Sequence, residues 1–269
     1  MDIQKTTEGQ GTKVEARAPL HVSRFNLLTL QRFNALPSSA FTLIELLIVI
    51  SIIALLAGLL IPAATGVKHT QIKKRATAEL SEVRMAIDSY KIQLGYYPPD
   101  NHSPNASTNA FINQLYYELI GTSASNNNTI FYPLDGNASI LASTVTNVFF
   151  VGGLMNCTRG LGSDDNSIRA QNFFRTSLKP GQYLGISTNL YGSPTVYTFT
   201  ALGSYLPGPV MLPNSSATVG TRINPFRYNS SNPTNNPGTY DLWIDVTVGS
   251  QTNRICNWST TPFVVTNSN

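Results

Sequence analysis

The hydrophobic pattern of the chain is dominated by one apolar run near its N-terminus. From Leu43 to Ile61 the residues are apolar or small, apart from Ser51 and a single charged residue, Glu45. At about 1.5 Å per residue, a helix over this run is long enough to cross the hydrocarbon layer of a membrane. An ionised side chain inside a membrane segment costs a few kcal/mol. Glu45 therefore indicates a functional carboxylate that needs a cationic partner.

Three other interpretations of this run fit less well. A secretory signal peptide has an apolar core of about 7–15 residues, which is shorter than this run. An ordinary signal anchor accounts for the length but leaves Glu45 and Pro62 unexplained. A buried core helix of a soluble protein is rarely this long.

The helical pattern resumes after Pro62 and becomes amphipathic. A proline usually kinks a helix, yet it is tolerated inside a membrane when neighbouring groups restore the lost hydrogen bonds. Apolar residues then recur at spacings of three and four, which predicts one face packed on a head domain. These residues are Ile72, Ala76, Leu80, Val83, Ile87, Tyr90 and Leu94. The other side of the predicted helix carries Lys73, Lys74, Glu79, Glu82, Arg84, Asp88 and Lys91.

Gly95 and the prolines that follow it predict the end of this helix, because glycine is favoured just past a helix terminus and proline cannot continue one. A short second helix is predicted over 111–120. Beyond about Thr129 the pattern favours strands, since runs of β-branched and aromatic residues are separated by Gly, Pro and Asn clusters. The predicted strands are Thr144–Val151, Gln182–Ile186, Thr195–Leu202 and Tyr240–Val248, the last half-buried with Leu242, Ile244, Val246 and Val248 inward.

Composition narrows the function. Charged residues make up 12% of the 269-residue chain, and the net charge is +4. This density of positive charge is too low for a nucleic-acid-binding surface. Basic residues flank the apolar run on both sides, so charge alone does not orient the segment in a membrane.

The segment Ala40-Phe41-Thr42-Leu43-Ile44-Glu45, followed by the apolar run, resembles the N-terminal signal of type IV pilins and type II secretion pseudopilins. The resemblance implies cleavage by a prepilin peptidase between Ala40 and Phe41, with methylation of the new Phe41 amine. Ala40 stands where the family usually has glycine. The resemblance also implies that Glu45 neutralises the Phe41 amine of a neighbouring subunit, and that Pro62 lies where the helix can loosen during assembly.

The same resemblance implies an α+β, pilin-like fold. Its parts are a leader over 1–40 that is removed, a transmembrane assembly helix over 41–62, an amphipathic stem over 63–95 and a periplasmic head over 96–269. The head is expected to be an antiparallel β-sheet against which the stem packs. The helix that closes in Gly95-Tyr96-Tyr97-Pro98 resembles the major pseudopilin, and the tail from Tyr240 to Trp258 resembles the C-terminal hairpin of pseudopilin-like proteins.

Candidate chemistry in the head is sparse. His102 is the one histidine beyond the leader and the stem, so no acid, base and nucleophile set converges in the sequence and no enzymatic activity is expected. The family holds calcium in a head loop, and Asp164, Asp165 and Asn166 supply suitable oxygen ligands. They lack EF-hand spacing, and a solvated turn is the alternative. Cys157 and Cys256 predict a disulfide in an oxidising compartment, with two buried thiols as the alternative.

The resemblance thus implies a structural subunit of a type II secretion pseudopilus in the inner membrane, with a single pass and the head in the periplasm. The resemblance implies four kinds of partner: other pseudopilin subunits, the prepilin peptidase, an inner-membrane secretion platform and membrane lipid. Two alternatives stay open. One is a type IV pilus or competence pilin, and the other is a membrane-anchored module whose Tyr- and Asn-rich loops bind glycan.

Overall fold

The computed structural model describes residues 41–104, 110–159, 169–190, 192–213 and 222–266, with only the backbone for 61–65. The chain divides into two compact units, Met1–Ala54 and Leu55–Asn269. Helix α1 extends over Leu43–Leu94. In the first unit the described residues are Phe41, Thr42 and the opening turns of α1.

The second unit is built from short strands and a few helical turns around the C-terminal part of α1. Helix α2 is Leu115–Ile120, and a short helical turn over Ala142–Thr144 runs into a π-helical turn over Val145–Phe149. The strands are β1 Thr122–Ala124, β2 Ile130–Pro133, β3 Ile140–Leu141, β4 Cys157–Thr158, β5 Tyr183–Asn189, β6 Val196–Ser204, β7 Leu212–Pro213, β8 Arg222–Pro225, β9 Arg227–Asn229, β10 Asp241–Val248, β11 Gln251–Cys256 and β12 Phe263–Val264.

Among the described residues these strands form three four-stranded sheets, in the orders β3-β2-β1-β4, β5-β6-β8-β7 and β12-β11-β10-β9. Pairing is antiparallel throughout, except that β1 and β4 run parallel with Thr122 opposite Cys157. The α+β class is confirmed, but the single antiparallel sheet of the prediction is replaced by three smaller sheets, one of them mixed.

The predicted apolar stripe of the stem lies in the core of the second unit. Ala76, Leu80, Val83, Ile87 and Tyr90 are buried, and Ile72 and Leu94 pack against the same core. α1 ends where the sequence predicts, since Gly95 has a φ of +86° and its N–H bonds to the Lys91 carbonyl at 2.9 Å. Glycine reaches this left-handed conformation without strain.

The C-terminal hairpin also follows the prediction. β10 and β11 pair from Trp243 opposite Cys256 to Val248 opposite Gln251, and the four inward-facing residues of β10 are buried. One residue differs from the alternating pattern. Asp245 lies on the opposite face of β10, where the pattern predicts a solvated side chain, but it is only 5% exposed. The predicted strands in 182–186 and 195–202 are confirmed as β5 and β6.

One predicted element is wrong, and another is shorter than predicted. The predicted strand Thr144–Val151 is helical, and its buried side chains Val145, Val148 and Phe149 lie at spacings of three and one that place them on one side of a turn. The helix predicted over 111–120 begins only at Leu115. The preceding Asn113 is engaged elsewhere, since its amide donates to the Phe226 carbonyl at 2.9 Å and holds the chain in a non-helical path.

Candidate functional site

The beginning of α1 carries a reciprocal cap. The Thr42 amide and hydroxyl donate to Glu45 Oε2 at 2.9 and 2.8 Å, and the Glu45 amide donates back to Thr42 Oγ1 at 3.3 Å. This is the capping-box arrangement expected of a Thr-x-x-Glu sequence, and it satisfies amide groups that have no partner within the helix. The sequence contained this signal in Thr42-Leu-Ile-Glu45. Glu45 is thus positioned beside the peptide N–H that follows Phe41.

The residues after this cap form an apolar helical surface. The window Leu43–Leu60 has a mean hydropathy of 2.9 and contains no buried residue. Among the described residues it is the one helical stretch that is long and apolar enough to cross a membrane. Its serine is satisfied locally, because the Ser51 hydroxyl donates to the Leu47 carbonyl at 2.7 Å. Glu45 is the one charged residue of this window. Pro62 lies within α1.

Several predicted site residues lie outside the described residues. These are Ala40, on the N-terminal side of the predicted cleavage site, and the calcium candidates Asp164, Asp165 and Asn166. Within the described parts of the chain there is no group of three or more His, Cys, Asp and Glu residues that could hold a metal. Calcium binding by Asp164, Asp165 and Asn166 stays a prediction.

If Asp164, Asp165 and Asn166 bind calcium, chelation is expected to lower the melting temperature of the purified protein. A ligand that binds only the folded state stabilises it by about 3 kcal/mol at a hundredfold excess over its Kd. Differential scanning fluorimetry with calcium or chelator measures the shift, and the Asp164→Asn/Asp165→Asn variant is the matched control. An equal melting temperature with calcium and with chelator would contradict calcium binding and would favour the alternative of a solvated turn.

A buried carboxylate connects the stem to the head. Glu118 on α2 is fully buried and accepts the Tyr90 hydroxyl at 3.0 Å and the amides of Met155 and Asn156 at 2.8 and 2.9 Å. Burial raises the pKa of Glu118, and the amide donors of Met155 and Asn156 partly oppose that rise. The contacts link α1, α2 and the loop before β4. Sequence reasoning missed Glu118, although one acid inside the apolar run Leu-Tyr-Tyr-Glu-Leu-Ile was the available signal.

His102 lies in a cluster that contains the residue types of a catalytic triad but not its arrangement. Its Nε2 lies 3.3 Å from Asp100 Oδ1 and 3.2 Å from Ser231 Oγ. In a triad the carboxylate and the nucleophile engage opposite ring nitrogens. Here both engage the same nitrogen, and the Ser231 hydroxyl donates to Asp100. The hydroxyl proton is already bonded to a carboxylate, so this geometry does not activate a nucleophile.

Asp100 and Asp241 together order the loop that joins β9 to β10. Asp100 Oδ2 accepts the amides of Ser230 and Ser231 at 2.9 and 3.0 Å. At the other end of the loop, Asp241 accepts the amides of three consecutive residues, each at 2.9 Å, which are Thr234, Asn235 and Asn236. Two nearly buried carboxylates thus replace the backbone pairing that this Asn-rich loop lacks.

An ion cluster explains why Asp245 is buried although it lies on the outer face of β10. Arg254 binds its carboxylate through two nitrogens at 2.8 and 3.0 Å, and Arg227 Nε lies 3.7 Å away. Burial lowers the pKa of Arg227, and the Asp245 charge opposes that change. The Arg254 guanidinium also lies 5.5 Å from the centre of the Trp243 ring, so the outer face of the C-terminal sheet is packed with charge and aromatic rings.

The predicted disulfide is absent from the structure. Cys157 and Cys256 are both buried free thiols, on β4 and β11 of two different sheets. Burial raises the pKa of each thiol. The alternative of two buried thiols agrees with this structure.

Comparison with known proteins bears on the N-terminal part of the chain. The family model described as the prokaryotic N-terminal methylation motif matches residues 37–61, which include the Ala40–Phe41 junction and Glu45. The N-terminal region is therefore similar to proteins that carry this motif. No solved structure matches the chain significantly.

Three curated relatives are proteins named type II secretion system core protein G. The protein from Escherichia coli K12 is 38% identical over 61 residues, 23% of this chain and 42% of the relative. The protein from Aeromonas hydrophila is 32% identical over 26% of this chain and 50% of the relative. The protein from Pectobacterium carotovorum is 34% identical over 22% of this chain and 37% of the relative. The chain therefore spans half or less of the length of the curated relatives it matches.

Proposed function

We propose that this protein is a structural subunit of a pseudopilus in a type II secretion-like system, anchored in the inner membrane with its head in the periplasm. The observation that carries the proposal is the methylation motif over 37–61 together with Glu45, the one carboxylate in a membrane-length apolar helix. Other copies of the chain, related subunits, the prepilin peptidase, the secretion platform and membrane lipid are the proposed partners.

The physical logic of assembly follows from the charge of Glu45. A single subunit can keep this carboxylate hydrated near the membrane surface, with Thr42 as a local partner. Neighbouring helices in a filament remove that water, and an unpaired charge there costs several kcal/mol. A cationic amine on the adjacent chain restores the balance. We infer that this pairing makes assembly, rather than subunit folding, depend on Glu45.

Crosslinking in native membranes tests the proposal. A lysine-reactive crosslinker is expected to give a ladder of multimers from wild-type cells, and deletion of the gene is expected to abolish export by the secretion system. A ladder with unchanged export, accompanied by fibres at the cell surface, favours the type IV pilus or competence pilin alternative. A lone monomer contradicts a filament subunit of either kind.

The processing of the N-terminus gives a separate prediction. We expect a mature chain that begins at N-methylated Phe41, because the matched motif includes the Ala40–Phe41 junction. Intact-mass spectrometry of membrane-extracted protein measures this start. Substitution of Ala40 by a bulky residue is the matched control and is expected to leave the leader attached. A start at Met1 or a cut beyond Ile61 would contradict the processing step.

A second candidate function is glycan binding by the anchored head. A cavity of about 680 Å³ lies between the Asp100–Ser103 segment and the loop after β9, with Asp100, His102, Asn232 and Trp243 in its wall. The buried Trp243 Nε1–H has no hydrogen-bond acceptor among the residues that the structure describes. An aromatic ring beside amide and carboxylate groups suits a hydroxyl-rich ligand. Glycan-array binding by a purified monomer, lost in Trp243→Phe, would favour this module.

A further inference from the structure

The head contains a small cavity that the filament role does not use. Its volume is about 340 Å³, which lies within the range of about 300–1,000 Å³ that small-molecule sites occupy. The cavity is lined by Pro99 and His102, by the stretch from Phe150 to Met155 and by Arg159. We call it the Phe150 cavity. No acidic side chain is present among the described residues that line it.

Large apolar side chains stay exposed in the wall of this cavity. Phe150 follows the π-helical turn in the left-handed conformation, with a φ of +55°, and its N–H bonds to the Thr146 carbonyl at 3.1 Å. Glycine is the usual residue at such a helix end, and a bulky residue there is uncommon. Phe150 is nevertheless 40% exposed, and Met155 is 48% exposed. The cavity therefore offers an apolar wall to a ligand.

The backbone after Phe150 offers free hydrogen-bond donors. The amides of Val151, Gly152 and Gly153 have no acceptor among the described residues. A Cβ at Gly152 would meet no atom within 4 Å, and Gly152 does not have a positive φ. Neither packing nor backbone conformation thus requires glycine at this position. Glycine also allows a ligand to approach the backbone closely, and this property suits a residue in a cavity wall.

Arg159 supplies positive charge to the same cavity. It is exposed, and the ion pairs among the described residues do not include it. The Asp100 carboxylate beside His102 lines the neighbouring cavity of about 680 Å³ and accepts the amides of Ser230 and Ser231. It is therefore not the partner of the guanidinium. An arginine together with consecutive free N–H groups suits a carboxylate.

We propose that the Phe150 cavity binds the C-terminal carboxylate of a peptide whose last side chain is apolar. The carboxylate accepts hydrogen bonds from the Arg159 guanidinium and from the amides of 151–153, and the last side chain packs against Phe150 and Met155. The final residue of a peptide carries both groups on one carbon atom. A small cavity that combines cationic donors with an apolar wall therefore matches this ligand, whereas an inorganic anion would leave the apolar wall unused.

Fluorescence polarisation with the full chain in lipid nanodiscs tests the proposal. The probe is a fluorescent peptide of glycine and serine residues that ends in leucine with a free carboxylate. The same peptide with an amidated C-terminus lacks the charge, and the same peptide ending in glycine lacks the apolar side chain. Each of these two peptides is expected to bind about tenfold more weakly, because each loses one of the two kinds of contact.

Two substitutions locate the binding in this cavity. Arg159→Gln is expected to weaken binding of the leucine peptide about tenfold, because the charged donor is lost. Arg175→Gln, which removes an exposed arginine that does not line the cavity, is the matched control and is expected to leave binding unchanged.

Gly152→Ala fits the backbone and the open space around it. It is expected to weaken binding about tenfold while the melting temperature stays at the wild-type value, because its methyl group obstructs the ligand and touches nothing else. Gly66→Ala, on α1, where a Cβ likewise meets no atom within 4 Å, is the control and is expected to bind normally. Loss of binding together with a lower melting temperature in Gly152→Ala would indicate a structural role for this glycine and would contradict its role in the site.

Other outcomes would contradict the proposal. Equal binding of the free and amidated peptides would show that the carboxylate is not recognised. Displacement of the probe by an equal concentration of inorganic phosphate would indicate an unspecific anion site, and displacement by decanoate would indicate a fatty-acid site. No binding of the leucine peptide would exclude peptide recognition. These results do not affect the crosslinked ladder, so the pseudopilus proposal is tested separately.

Discussion

Glu45→Gln is expected to abolish homotypic crosslinks along α1 and, if this is the major subunit, to abolish secretion as well. Insertion, cleavage and folding of the head are expected to stay near normal. Glutamine keeps the size of the side chain and retains an oxygen that can accept the Thr42 amide, so the helix start survives. What is lost is the negative charge that pairs with an amine when water is excluded.

Ser51→Ala is the matched control for this variant. Ser51 is polar and lies in the same apolar window, but its hydroxyl bonds to its own helix, so its loss is expected to leave assembly intact. Export and crosslinking are measured for both variants at equal membrane levels. Export at the wild-type level by the Gln variant would contradict the charge-pairing role and would leave Glu45 as an incidental polar residue of a membrane anchor.

Co-expression of wild-type and Glu45→Gln chains distinguishes pairing of Glu45 with another chain from pairing within its own chain. Glu45 bonds to the amide of Thr42, so it also lies close to the predicted Phe41 amine of its own chain. If the pairing is between chains, a Glu45→Gln chain still offers its amine to a wild-type neighbour, and mixed crosslinks are expected. If the pairing is within one chain, the variant is expected to stay outside wild-type filaments.

Glu118→Ala is expected to destabilise the head by about 4 kcal/mol, because three hydrogen-bond donors lose their acceptor and a cavity forms. For a domain of this size that corresponds to a fall in melting temperature of about 10 °C. Tyr90→Phe removes one of the three hydrogen bonds and is expected to cost about 1 kcal/mol. Thermal unfolding of the full chain in detergent measures both. Equal stability of Glu118→Ala and wild type would contradict the role of this carboxylate.

The pH dependence of this cost has a definite sign. Burial raises the pKa of Glu118 above its ordinary value of 4.5. A carboxyl group whose pKa rises on folding contributes most stability below its unfolded pKa and loses that contribution as the pH rises through its folded pKa. The stability lost in Glu118→Ala is therefore expected to be larger at about pH 5 than at about pH 8. The opposite trend would show that the ionised form is the one the fold favours.

Local sequence patterns predicted the elements that have one face in the core and the other in solvent. The stem residues from Ile72 to Leu94 meet a core on one face and solvent on the other, so a period near 3.6 was visible in the sequence. In the hairpin from Tyr240 onward, apolar and polar residues alternate with a period of two, and this pattern was equally visible in the sequence. Both elements are built from residues that are close in sequence.

The errors arose where distant residues decide the outcome. Thr144–Val151 has strand-like composition, yet Val145, Val148 and Phe149 pack as a turn because tertiary burial overrides intrinsic propensity. Asp245 was expected at the surface, and Arg227 and Arg254 are the residues that make its burial tolerable. Neither partner is identifiable from the alternation of β10 alone. At the site, the motif around Glu45 was readable from sequence, whereas the partners of Glu118 and Asp100 come together only on folding.

The burial of the stem from Ala76 to Tyr90 within the head has a mechanical consequence. These residues pack directly in the core of the second unit. An axial load on this part of the helix therefore enters the head as shear spread over about 21 Å of packed side chains. Contacts loaded in shear have to fail together, whereas a tethered domain would first extend its linker. The head therefore moves together with this stretch of the stem, without the slack that a linker would allow.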